Sequence, residues 1–160
     1  MFTWEGTPPE PYETPDYFRG VVWRRVVAYC LVDGPIVLFL CALAAVLFAG
    51  VTVVSLGILS PVWAIYGFVP LAYHTLTIGG RHSGTLGMRL MNIEVRSWNG
   101  ERPGLAQALA LTVLFYLTTA ATAFLVLLFV FFNRRRCTLH DLIAGTLVVR
   151  RFPDPVVMRA

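Results

Sequence analysis

The sequence predicts an all-α integral membrane protein. It would consist of a transmembrane helical hairpin, a third long or re-entrant apolar helix block, and a small cytoplasmic cap of β-strand and short helix. Three observations predict this. From Gly34 to Gly80 the chain carries no Asp, Glu, Lys or Arg. A spanning helix needs ~20 mostly apolar residues, so this stretch is long enough for two passes. The chain is 57% hydrophobic with a mean hydropathy of +0.68, which excludes a soluble domain of ordinary composition. A further apolar block, residues 105–132, lies between a polar interval and an arginine-rich tail. The expected helices are about residues 24–50, 58–78 and 105–132, with cytoplasmic segments at 79–104 and 133–151, all in one membrane domain over 19–151.

Residues 1–18 hold four Pro, three Glu and one Asp, the composition of an extended, solvated tail. No cleavable signal peptide is expected, because the first apolar run follows these acids and lacks a short basic start. In 19–33, Trp23 and Tyr29 are interfacial anchors, and Arg19, Arg24 and Arg25 mark the cytoplasmic end of the first helix. On a straight α-helix, Arg25 and Asp33 would stand about 80° apart around the axis and about 12 Å apart along it. They would not pair, and each would need a partner from elsewhere. Gly34-Pro35 should bend or restart the helix. The hairpin should turn within Ala49–Pro61, where Gly50, Gly57 and Ser60-Pro61 sit, and Pro70 should kink the second arm.

Polarity returns in 79–104. The run Met91–Trp98 alternates as a strand does, and Asn99-Gly100 after it is a two-residue hairpin signal. In 133–151, Thr138–Ala144 suits a short amphipathic helix ended by Gly145. Thr146–Val149 reads as a strand that would pair with Ile93–Arg96. Residues 152–160 are a tail closed off by Pro153 and Pro155.

Charge decides how the third block is read. All 13 basic residues are Arg, and the net charge is +4. With the N-terminus inside, the hairpin returns the chain inside at Arg81. A single crossing by 105–132 would then place Arg134, Arg135, Arg136, Arg150, Arg151 and Arg159 outside, against the positive-inside rule. A block that enters and turns back keeps every Arg on one side. That reading is preferred, although no Pro or Gly interrupts the block. Its small polar centre, Thr118–Thr122, permits close helix approach.

Other chemistries find little footing. Gly79–Thr85 has the glycine spacing of a phosphate loop but no Lys and no preceding strand, so nucleotide binding is rejected. Cys137 and His140 offer two ligands where a structural zinc takes four, and His82 adds at most a third, so no metal is expected. Cys30, Cys41 and Cys137 form no disulfide framework. No cofactor is expected, and no nucleic acid, because the Arg residues border apolar helices instead of forming a soluble patch.

Three stretches stand out together. They are Trp23-Arg24-Arg25 with Asp33; Thr85-Leu86-Gly87 with Arg89; and Leu139-His140-Asp141-Leu142-Ile143-Ala144-Gly145-Thr146. Together they resemble the RDD family of small bacterial membrane proteins, named for one Arg and two Asp, over about residues 18–150. The resemblance implies a multi-pass membrane fold, with the family's Arg falling on Arg25 or Arg24 and its two Asp on Asp33 and Asp141. The Arg-to-Asp spacing is a residue longer here than in the family's usual pattern. Gln107–Ala110 lacks the Arg that the family often carries early in the third block. A bacterial inner-membrane location with a cytoplasmic N-terminus follows from the resemblance and the charge asymmetry.

A carboxylate at the edge of hydrocarbon is a functional-site candidate by default. The candidate network, functional or structural, is therefore Arg24, Arg25, Asp33, Arg89, Arg136, His140 and Asp141, with Asp33 paired to an Arg and Asp141 to Arg24 or Arg25. Two functions compete. The first is a non-enzymatic subunit or accessory protein that binds a membrane partner, a second copy of itself, or anionic lipid headgroups through its Arg-rich cytoplasmic face. The alternative is a small oligomeric ion or solute transporter with Asp33 as coupling carboxylate. An enzyme acting on lipid would rest only on His140 and Asp141, which as helix neighbours do not face each other.

Overall fold

The structure is a computed structural model and describes residues 15–122, 130 and 136–151. The expected tails outside these bounds, Arg134 and Arg135, and most of 123–132 lie outside the described residues.

A single long helix, Val21–Val54, opens the fold. It comprises α1 (Val21–Val27), a π-helical segment (Ala28–Asp33) and α2 (Gly34–Val54). The expected restart at Gly34-Pro35 does not occur, since the helix runs on through it. The Gly34 N–H bonds back to the Tyr29 carbonyl, and Pro35 follows directly after this π-helical bond, at the start of α2. A π-turn is an α-helix with one residue added. It therefore absorbs the additional residue between Arg25 and Asp33 without interrupting the helix. It also resets the face: the buried positions of the first thirteen residues are Val21, Arg25, Ala28 and Asp33. Their spacing of four, three and then five returns Asp33 to the buried side.

None of the 21 residues of α2 is buried, and the helix is apolar on every side. That is the pattern of a helix whose surroundings are lipid. The hairpin turns within Ser55–Leu59, with Leu56 and Gly57 at φ 51° and 87°. The second arm is not one helix over 58–78. It is a 3₁₀ segment, Ser60–Ile65, followed by α3, Phe68–Ile78. Pro70 consequently lies in the first turn of α3, where no helix hydrogen bond is lost, and it produces no mid-helix kink.

After a tight loop comes α4 (Leu86–Leu90), a five-residue helix that the alternation of the neighbouring strand masks in the sequence. Strand β1 (Ile93–Ser97) pairs antiparallel with β2 (Thr146–Arg150), Glu94 opposite Val149 and Arg96 opposite Leu147. Asn99-Gly100 forms a turn, but not the hairpin its dipeptide suggests: the strand partner lies beyond α5 (Leu105–Thr122) and α6 (Leu139–Ala144).

Among the described helices, Val21–Val54 and Leu105–Thr122 are long and apolar enough to cross a membrane. The protein is thus mostly helical with a small two-stranded sheet. Its well-buried core lies in the cap, around Val21, Met88, Ile93, Val95 and Val148, with a second cluster of Phe18, Cys137, Leu147 and Val149 on the other side of the sheet. Near its start, α5 sends the Gln107 amide to the Ala144 and Gly145 carbonyls, 2.9 and 3.2 Å away. The chain that leaves along α5 is therefore back at the same end of the bundle by α6.

Candidate functional site

Two polar clamps hold the cap against the foot of the long helix. The first forms around Asp33, which is 1% exposed. The Tyr73 hydroxyl donates to Oδ1 at 2.8 Å, the Thr85 hydroxyl to Oδ2 at 2.6 Å and the Gly87 backbone N–H to Oδ1 at 3.0 Å. The Thr85 oxygen in turn accepts the Met88 N–H at 3.2 Å and caps α4. The carboxylate thus sits at the start of α4, where free N–H groups and the helix dipole favour an anion. Gly87 is required there. A Cβ at this position would run into the Ala28 carbonyl and stand 2.8 Å from Asp33 Oδ2. The expected arginine partner of Asp33 is not what the structure shows: its hydrogen bonds come from two hydroxyls and an amide.

The second clamp joins Arg25 to Asp141. Nη1 donates to Oδ2 at 2.6 Å and Nη2 to Oδ1 at 3.1 Å. Both residues are buried, Asp141 completely. Asp141 also receives the Thr138 N–H at 2.9 Å and the Thr138 hydroxyl at 2.7 Å. Those contacts make Asp141 part of the capping box that starts α6. Burial pushes the Asp141 carboxyl up, but the adjacent Arg25 charge and its hydrogen bonds outweigh that and hold it below the usual carboxylate range. His140, fully buried beside the pair, has Nε2 3.3 Å from Arg25 Nη2 and 2.7 Å from the Thr138 hydroxyl. Burial holds its pKa down at about 4, so the ring is neutral.

Further into the bundle, Tyr29 stacks on Phe115 at 5.7 Å, and Phe115 meets the His140 ring edge-on at 5.2 Å. His74 Nδ1 contacts the Pro70 carbonyl at 2.9 Å and the Tyr116 hydroxyl at 3.1 Å.

The remaining arginines of the network do other work. Arg24 donates to the Met91 carbonyl at 2.7 Å, at the end of α4. Arg89 Nε donates to the Gly84 carbonyl at 3.0 Å. Arg136 is exposed at φ 51° and joins neither clamp. Tyr73, Thr85, Gly87, Thr138 and Gln107 were not singled out as site residues from the sequence. A signal existed for Thr138: Thr138-x-x-Asp141 ahead of an apolar run is a capping-box pattern.

On the outer surface of the cap, Arg81, Arg89, Arg102 and Arg151 surround the exposed His82. The Arg89 charge, then slight burial, then Arg151, Arg81 and Arg102 hold that imidazole below its ordinary pKa. Arg102 is fixed to the same loop by a 2.8 Å bond to the Arg81 carbonyl. Glu94 is taken up by Arg96 at 2.6 Å and Arg151 at 3.7 Å. Leu86 and Leu90 lie on one face of α4, exposed beside this patch. Among the described residues no three His, Cys, Asp or Glu side chains are grouped as metal ligands.

The family model described as "RDD family" matches residues 19–145, a span that contains both clamps. No curated protein and no solved structure matches the chain.

Proposed function

The chain belongs to the RDD family, and on that premise we propose that it is a non-enzymatic membrane subunit or accessory protein whose cap presents an arginine surface to anionic lipid headgroups. The observation that carries this is the arrangement around His82. Arg81, Arg89, Arg102 and Arg151 converge on one loop, and the buried Glu94 pairs with Arg96 and Arg151. Arginine forks match phosphate oxygens in pairs. Each basic residue near an anionic leaflet contributes about 1 kcal/mol. The exposed Leu86, Leu90 and Trp23 give the same region the apolar edge that an interfacial surface needs. In this reading the cap faces the cytoplasm of a bacterial inner membrane, and the two clamps keep it in register with the helices. A membrane-protein partner or a second copy would use the uncovered face of α2.

Transport through Asp33 has less support. Three donors occupy that carboxylate, and it does not line the cavity within the bundle. Purification in mild detergent tests the proposal. Bound anionic phospholipid should be retained in preference to zwitterionic lipid, and Arg81→Ala with Arg102→Ala should reduce that retention several-fold. A monomer that carries no preferred lipid and no partner would overturn it.

A further inference from the structure

Two imidazoles line one small cavity, and their hydrogen-bond partners fix what each presents to it. The cavity has a volume of about 10 Å³ and is bounded by Tyr29, His74, Leu111, Thr112, Phe115 and His140. That is room for about one water molecule.

His140 is completely buried, and its Nδ1 has no hydrogen-bond partner among the described residues. Its Nε2 faces Arg25 Nη2 at 3.3 Å. It lies closer still to the Thr138 hydroxyl, at 2.7 Å, whose single proton goes to Asp141 Oδ2, so that oxygen accepts from Nε2–H and Nδ1, the atom without a partner, is the lone pair. His74 is settled by the same logic. Its Nδ1 lies 2.9 Å from the Pro70 carbonyl. A carbonyl only accepts, so the proton is on Nδ1 and Nε2 is the lone pair. Each ring therefore keeps one lone pair, on His140 Nδ1 and on His74 Nε2.

We infer that this cavity is a binding site for a single ordered water that donates one proton to His140 Nδ1 and the other to His74 Nε2. Tyr29 on the same wall carries the hydroxyl that can donate to the water oxygen. The water completes a polar path from Asp141 and Arg25 in the cap, through His140, to His74 and Tyr116 among the apolar helices. The docking of α6 is thereby coupled to α3: withdrawing α6 removes one of the two acceptors that hold the water on His74. The inference is independent of what the arginine surface binds.

Solid-state NMR of the full chain, nitrogen-15-labelled at histidine and reconstituted in liposomes at neutral pH, tests it. His82→Gln removes the exposed third ring and leaves two signals. Both should be neutral rings, His140 protonated at Nε2 and His74 at Nδ1. Polarisation from water protons should reach the Nδ1 of His140 and the bare Nε2 of His74, and His74→Phe should assign the pair. A proton on Nδ1 of His140 or on Nε2 of His74, or a His140 Nδ1 that receives nothing from water, overturns the inference.

Discussion

Arg25 and Asp141 stand 116 positions apart in the chain and meet as a two-pronged ion pair, with Nη1–Oδ2 at 2.6 Å and Nη2–Oδ1 at 3.1 Å. The pair lies on the buried side of the long helix and carries the capping box of α6 on its other edge. It fixes the C-terminal segment to the first helix and, through β2, the sheet as well.

Breaking this pair on one side should be severe. Arg25→Ala strands a buried carboxylate, and losing one partner of a buried pair costs ~3–5 kcal/mol. Arg25→Lys keeps the charge but loses the fork, and should fall between Arg25→Ala and the native protein. The unfolding midpoint in detergent reads this directly. A native midpoint for Arg25→Ala would mean that the pair contributes nothing.

Gly87→Ala should prevent α4 from docking. The added methyl meets the Ala28 carbonyl, which is fixed backbone, and lies within 2.8 Å of Asp33 Oδ2. Rotamer changes cannot relieve a clash with backbone, so either the Asp33 hydrogen bonds or the helix position must give way. Protease sensitivity in residues 79–92 should rise sharply. Unchanged cleavage would show that the approach of α4 to the π-turn is looser than its geometry implies.

Stability should fall on mild acidification. Burial lowers His140 from 6.5 to about 4, so below about pH 6.5 the unfolded chain binds the proton more readily than the folded one. Stability is complete above that value and is lost as pH falls towards about 4, by up to roughly 3 kcal/mol at ~1.4 kcal/mol per pH unit. Asp141 acts with the same sign. Its folded pKa lies below the ordinary one, so its contribution is present above the unfolded pKa and is lost as pH falls through the folded value. His140→Gln should flatten the profile between pH 6.5 and 4 in thermal unfolding, and an unaltered profile would rule out His140 as its source.

Gln107→Ala should loosen α6 locally. The amide bridges the Ala144 and Gly145 carbonyls and the Ser97 hydroxyl, 3.2 Å away. Losing it leaves the Gly145 carbonyl at the end of α6 with the Trp98 N–H at 3.1 Å and the Ser97 hydroxyl at 3.4 Å. Hydrogen exchange should accelerate by about tenfold in 139–147, corresponding to ~1.4 kcal/mol, while the amides of α2 stay as they are. Equal acceleration in both would point to global destabilisation instead.

Much of the architecture can be read from single residues. An uncharged run from Gly34 to Gly80 needs no partner to announce a hairpin in lipid, and the alternation after Met91 announces a strand. The π-turn was not readable. Its cue is one residue of spacing, which a straight α-helix treats as a change of face. The break at Gly67 and the helix α4 were hidden for a related reason: each is shorter than the window over which a hydrophobic period can be recognised. In the clamps, Asp33 and Asp141 stood out because a carboxylate is costly beside hydrocarbon. Thr85, Tyr73 and Gln107 are ordinary residues until a distant atom is placed against them.

The sequence by itself determined that this is a membrane protein of the RDD pattern, because hydropathy and charge are properties of the residues and add along the chain. Only the tertiary structure decided that Asp33 answers to hydroxyls and an amide, that Asp141 takes Arg25, and that two imidazoles share a cavity. A hydrogen bond depends on distances of a few tenths of an ångström between segments up to 116 residues apart, and no spacing along the chain encodes those.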